Sequence, residues 1–229
     1  MHVKKKVEPN EWFYRLIRVV LYSSYRLRFR FKYFGSENVP GSEDPRGVIL
    51  APNHASYIDP PIMGISLKRR VTYLAKEYLF STFFVGWVLR MIGALPIKGE
   101  AHDFSSIRGL IRILNLGRCI VVFPEGTRSE DGRFKEPEGG IGFLAVKSGA
   151  WVVPVYIHGS YEAFPKGVKW PRRKPVEVHY GKPFIPANQK ELLAGDEPYL
   201  AISRKIMADI AKLKENVERQ SVRAIEKGK

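Results

Sequence analysis

A single cysteine, Cys119, excludes an internal disulfide and leaves no Cys/His cluster for a structural metal, so no metal site is expected. Cys119 sits at the start of an apolar run and reads as a small core residue. Long apolar runs are missing too. The longest stretch without Asp, Glu, Lys or Arg is Ser148 to Tyr161, and Gly, Ser, Pro and His break it. That falls short of the roughly 18–20 apolar residues a spanning helix needs, so no membrane crossing is expected. No signal-peptide pattern follows Lys4-Lys5-Lys6, because Glu8, Asn10, Glu11 and Arg15 stand where an apolar core would be. Acidic residues are scarce: 23 Asp and Glu against 38 Lys and Arg give a net charge of +15. Such an excess points to nucleic acid, an anionic membrane or acidic small molecules. No nucleic-acid module with interleaved basic and aromatic residues is legible, so nucleic acid is not the expected partner.

What is present begins with Phe123-Pro124-Glu125-Gly126-Thr127-Arg128-Ser129, at the end of Cys119-Ile120-Val121-Val122. The apolar run reads as a strand buried on both faces of a mainly parallel sheet. Pro124 and Gly126 end it, delivering Thr127, Arg128 and Ser129 on a loop at the strand's C-terminal end. Open α/β sheets place ligand crevices there. A planar guanidinium beside hydroxyls and a glycine suits a phosphate, and an ordinary strand-to-turn exit with a solvated arginine is the alternative.

A second loop, Asn53-His54-Ala55-Ser56-Tyr57-Ile58-Asp59, follows the strand Gly47 to Asn53. Pro60 and Pro61 predict a helix starting at Pro60 with Asp59 as its cap. A loop of this length lets the His54 imidazole curl back to the Asp59 carboxylate, which fixes the tautomer and leaves the other nitrogen as a base. The competing reading is Asp59 as a plain N-cap and His54 as a core histidine.

The pattern elsewhere predicts a basic amphipathic helix from Trp12 towards Arg30, an edge strand within Phe29–Val39, and a short helix from Pro60 to Leu67. Further strands are expected at Val71–Lys76, at Trp151–Ile157, where Pro154 argues for an edge or a bulge, and at Val176–Phe184. Helices are expected at Glu77–Met91, Phe104–Leu116, Gly140–Lys147 (closed by Gly149) and from Pro198 onward. The fold class is α/β, one domain with a mostly parallel or mixed central sheet flanked by helices. Residues 1–30 are set apart as a membrane-surface segment, with a helix packed on the domain through snorkelling arginines as the alternative, and 31–229 as the main domain.

The NHASYID loop, the later FPEGTRS loop and the VPVYI strand resemble, in order and spacing, the glycerolipid acyltransferase family, in particular its PlsC-like 1-acyl-glycerol-3-phosphate branch. The likeness covers roughly Gly47 to Phe184. It implies transfer of a fatty acyl group from acyl-CoA or acyl-carrier protein to the 2-hydroxyl of lysophosphatidic acid, with no cofactor. His54 would be the base and Asp59 its orienting partner. Glu125, Gly126, Thr127 and Arg128 match the acceptor-binding block, with Arg128 on the phosphate and Glu125 bracing Arg128 or the glycerol end. Gly93-Ala94-Leu95-Pro96-Ile97-Lys98-Gly99 matches the family's second block only in its Gly-x-x-Pro-Ile portion. The usual arginine is replaced locally by Lys98, a candidate phosphate ligand as a point charge. Asn53, or N–H groups at the helix start from Pro60, would stabilise the oxyanion. The resemblance places the protein on the cytoplasmic face of the membrane, peripherally. A related acceptor, or a non-catalytic lipid- or nucleic-acid-binding protein, are the rival readings.

Overall fold

Val48, Ile49 and Leu50 leave nothing polar for solvent, and the strand they open, β2 (Val48–Pro52), is buried at every position. Val48 and Leu50 join one hydrophobic core while Ile49 and Ala51 join another, the two-residue period of a strand covered on both faces. Its neighbours, β6 (Cys119–Val121) and β7 (Trp151–His158), run parallel to it. Beyond β6 lies β3 (Val71–Thr72), also parallel. On the other side β8 (Glu177–Tyr180) runs antiparallel to β7 and parallel to the edge strand β1 (Lys32–Phe34). The order of this mixed six-stranded sheet is β1-β8-β7-β2-β6-β3. The structure is a computed structural model, and it describes residues 11–97 and 104–227.

One sheet face is covered by α1 (Glu11–Phe29) through Leu21, Tyr22, Tyr25 and Phe29, and by α2 (Asp59–Ile65) through Ile62, Met63 and Ile65. The other is covered by α4 (Phe104–Asn115), α5 (Gly139–Ser148) and α8 (Pro198–Lys227), which bury Leu114, Leu144, Ile202, Ile206 and Ile210. This is the α/β architecture the sequence pattern calls for. Gly149, at φ 63, closes α5 in the left-handed conformation that glycine tolerates. Two short helices, α6 (Ser160–Ala163) and α7 (Lys190–Leu193), fill connections.

Several boundaries differ from the sequence reading. The expected strand 71–76 divides: β3 stays in the main sheet, and β4 (Leu74–Lys76) pairs with β5 (Leu95–Ile97) in a separate two-stranded sheet. Tyr73, between them, drops its ring towards α2, where a Cβ on Gly64 would lie 1.5 Å from the hydroxyl. The expected helix 77–91 is a 3-10 turn (Glu77–Ser81), an extended Thr82 and then α3 (Phe83–Met91). Pro154 sits in the interior of the sheet, not at an edge. Its missing N–H is accommodated by a bulge in the chain opposite. Tyr180 faces Val155 and Phe184 faces Val152, so three residues on the returning chain span two on β7.

Among the described residues no helix is long and apolar enough to cross a membrane. Apolar surface nevertheless gathers on α1 and α3. Trp12, Leu16, Val19, Val20 and Leu27 are exposed on the first, and Phe83, Phe84 and Trp87 on the second, with Phe83 at 95%. Phe13 and Trp87 meet edge to face at 5.2 Å, joining the two helices.

Candidate active site

β2 and β6 are adjacent and parallel, so the chains that leave their C-terminal ends emerge side by side. His54 lies just past β2. Its Nδ1 and Asp59 Oδ2 are 2.9 Å apart, and the same oxygen accepts the N–H groups of Ala55 (2.8 Å) and Ser56 (2.7 Å). Asp59 is completely buried, while the His54 side chain keeps 15% exposure, enough to leave an imidazole edge within reach of a ligand. With Nδ1 donating to the carboxylate, Nε2 carries the free lone pair. The His54 ring is stacked on Phe123, with centroids 3.8 Å apart and planes 18° from parallel, so its plane as well as its tautomer is fixed.

Asp59 is not the cap expected of it. The helix begins at Asp59 itself, Ile58 precedes it, and no side-chain capping bond is made. Pro60 and Pro61 have no N–H to be capped, so the carboxylate turns back to the loop. Neither expected oxyanion donor is free. Asn53 Oδ1 accepts from Ile157 N–H (2.7 Å) and its Nδ2 donates to Ile157 O (3.2 Å), which carries the β2–β7 pairing one step past Pro52. At the helix start the prolines have no donor, and Ala55 and Ser56 give theirs to Asp59.

Tyr25 of α1 is partly buried and lies near enough to Asp59 to feel its charge. Burial first, then the charge of Asp59, pushes its hydroxyl up to about 12.

The FPEGTRS loop is bonded directly to the His54 loop. Ser129 N–H donates to His54 O at 2.7 Å. Glu125, nearly fully buried, accepts from His54 N–H with Oε1 (2.8 Å) and from Lys135 N–H with Oε2 (2.9 Å). Expected to brace Arg128 or the glycerol end, it bridges two main-chain segments. Burial pushes its carboxyl above the ordinary glutamate value, and the two N–H bonds partly offset that. Gly126 has φ 67, the left-handed region that glycine takes without strain, and lies close against the Glu138 carboxylate. Lys135 Nζ donates to Thr127 Oγ1 (3.2 Å) and Arg128 O (3.1 Å), holding the loop from outside.

Arg128 lies with its Cζ 3.6 Å from the centre of the Tyr57 ring. Its Nη1 is buried without a hydrogen-bond partner among the described residues. Such a donor costs about 1–3 kcal/mol until an acceptor arrives. His54, Asp59, Glu125, Gly126, Thr127 and Arg128 are thus brought together; Lys98 lies outside the described residues. Phe123, Tyr57 and Lys135 were not singled out from sequence, because each acts through a contact across the two loops that no local spacing announces. Among the described residues no cluster of His, Cys, Asp and Glu could hold a metal ion.

Residues 30–158 match the protein family described as Acyltransferase. The chain belongs to that family. Its architecture is that of the crystal structure of the 1-acyl-sn-glycerophosphate acyltransferase PlsC from Thermotoga maritima, with a TM-score of 0.65, 26% identity, and coverage of 87% of this chain and 82% of the other. The chain is also 26% identical over 218 residues to the 1-acyl-sn-glycerol-3-phosphate acyltransferase of Streptococcus pneumoniae, covering 94% of this chain and 78% of that one. Against chloroplastic LPAT1 of Arabidopsis thaliana it is 29% identical over 65% of its own length, which spans 40% of the plant protein.

Proposed function

We propose that this protein transfers a fatty acyl group from a thioester donor, acyl-CoA or acyl-carrier protein, to the 2-hydroxyl of lysophosphatidic acid, forming phosphatidic acid for phospholipid synthesis. The observation that carries the reading is the 2.9 Å His54–Asp59 hydrogen bond in a loop bonded to the one that presents Arg128. The names of the relatives supply the acceptor.

In this reading His54 Nε2 takes the proton of the acceptor hydroxyl as its oxygen attacks the thioester carbonyl. Asp59 holds the imidazolium that results. Collapse of the tetrahedral adduct breaks the C–S bond, and the departing thiolate recovers the proton from His54, so no covalent acyl-enzyme and no cofactor are required. Arg128, carried on the Tyr57 face with one N–H unpaired, takes the acceptor phosphate through its fork. Gly126 and Thr127 shape that loop, and Lys98 is kept as a second phosphate cation. Residues 1–30 act as the membrane-surface segment and 31–229 as the catalytic domain. The apolar faces of α1 and α3 rest on the anionic cytoplasmic face of the membrane.

The test is transfer of labelled acyl groups from both donors to a panel of acceptors. Phosphatidic acid formation that depends on His54 is expected. His54-dependent transfer only to another lysolipid would replace the acceptor, and no transfer with any pair would remove the function.

A further inference from the structure

A cavity of about 360 Å³ lies away from the two loops, lined by Arg28, Arg30, Arg173, Lys174 and Pro175. That lining holds four cations and no acid. Its volume is within the range of ligand sites. Two chain segments build it. Arg28 donates to the Pro171 carbonyl, Val176 N–H donates to Phe29 O (3.0 Å), and Lys32 N–H donates to Val176 O (3.2 Å). Arg30 itself is at φ 49, the one described residue other than glycine with positive φ.

Strand directions place this cavity at the catalytic end of the sheet. β8 is antiparallel to β7 with Glu177 opposite His158, so residues 173–175 enter β8 from the end where β7 and β2 stop. β1 starts level with Glu177, which puts Arg28 and Arg30 at the same end. From β2 to β1 there are three strand spacings, roughly 14 Å. The connecting chain also links the two places. Phe164 O accepts the Ser56 hydroxyl (2.5 Å), the Phe164 ring touches Tyr57 (5.5 Å), and Arg172 N–H folds back to Ala163 O (2.7 Å).

We propose that this cavity binds the phosphorylated nucleotide of a coenzyme A thioester, so that the pantetheine arm runs across the ends of β8 and β7 to bring the thioester to His54. The inference rests on the acyl-transfer reading and extends it to the donor. A nucleotide bearing three phosphate groups matches four clustered cations, and the arm bridges a gap of this order. A lipid phosphate is the other source of the same chemistry. The concave shape, lined by cations and one proline with no large apolar side chain, favours the donor.

The experiment compares acyl-CoA with acyl-pantetheine, which carries the thioester and no phosphate, and measures binding of adenosine 3′,5′-bisphosphate and of phosphatidylglycerol vesicles to the full chain. In Arg173→Glu/Lys174→Glu the KM for acyl-CoA is expected to rise roughly ten- to a hundredfold, the loss of charge-assisted bonds to phosphate. Bisphosphate binding should weaken in parallel and the KM for acyl-pantetheine should stay put. Arg30→Gly supplies a second variant that the backbone tolerates, since glycine takes φ 49 without strain. An unchanged KM for acyl-CoA in both variants overturns the proposal. Loss of vesicle binding with donor kinetics intact also overturns it and assigns the cations to lipid. Because bisphosphate binding is read directly, the site stands if binding is lost in the variants while the parent fails to acylate lysophosphatidate. It falls if the parent acylates normally and the variants do too.

Discussion

His54 and Glu125 hold each other through the main chain: the His54 N–H enters the Glu125 carboxylate at 2.8 Å, from a loop 71 residues away in sequence. His54 is therefore positioned by the 123–129 loop as well as by Asp59.

Replacing Glu125 with Gln puts an amide donor against one of two backbone donors. Small displacements of a catalytic group cost about 10² in rate, and kcat for Glu125→Gln is expected to drop by that order. Steady-state kinetics check it, and wild-type turnover would contradict the bridging role.

The same carboxyl gives a pH dependence. Burial raises it above the ordinary 4.5, so the folded chain holds that proton more tightly than the unfolded one. Its contribution to stability falls as pH rises from about 4.5 through the raised value, then levels off. Glu125→Gln does not titrate, so relative to its parent it should gain stability across that window. Denaturation curves at several pH values decide the point; a difference that stays constant with pH counts against it.

His54→Ala should lose about 10²–10⁴ in rate with the fold retained, the usual contribution of a positioned base. Asp59→Asn should lose a similar amount, since Asp59 Oδ2 now receives three donors. Circular dichroism with initial rates separates chemistry from folding. Retention of more than a few per cent activity in His54→Ala excludes the base role.

Arg128→Lys loses both the fork and the stack on Tyr57. Acceptor kcat/KM should fall roughly ten- to a hundredfold, the worth of a charged hydrogen bond. Tyr57→Ala should cost less, about 0.5–2 kcal/mol of the same quantity. The two losses should not add in the double variant, because they remove one contact. An acceptor dependence unmoved by Arg128→Lys would falsify the phosphate assignment.

Arg69, between α2 and β3, makes a prediction about stability alone. Its guanidinium donates to the carbonyls of Pro40, Gly41 (2.6 Å) and Gly117 (2.7 Å), tying the loop before β2 to the turn before β6. Arg69→Ala should lose about 2–4 kcal/mol of unfolding free energy while turnover at low temperature persists. Urea titration measures the loss.

Phe83→Glu together with Phe84→Glu should weaken binding to phosphatidylglycerol vesicles at least tenfold in a sedimentation assay, since each large apolar side chain contributes about 1.5–3 kcal/mol on leaving water. Equal sedimentation of variant and parent would take α3 off the membrane.

Much of the fold was legible because its signals are local. The all-apolar run at 119–122 read as a doubly covered strand, the run at 47–51 as a neighbouring strand, and Gly149 as a helix stop. The open points and the misses depend on distant chain. Of the edge or bulge that Pro154 left open, the structure has the bulge, an extra residue between Tyr180 and Phe184, and only the returning chain could decide it. The 71–76 strand divides at Tyr73, whose ring needs the space above Gly64. At the site, the His54–Asp59 pairing could be read from two prolines and a short loop. The bridging by Glu125 and the Arg128–Tyr57 stack could not, because each joins residues brought together only when β2 and β6 become neighbours.

The paired prolines after Asp59 also bear on which way round the proposed acceptor lies. A helix start ordinarily attracts negative charge through its free amide hydrogens, and α2 has none to offer at 60 and 61. In the acyl-transfer reading proposed above, the anionic end of the acceptor then goes to the guanidinium on the neighbouring loop, leaving the imidazole to the hydroxyl end.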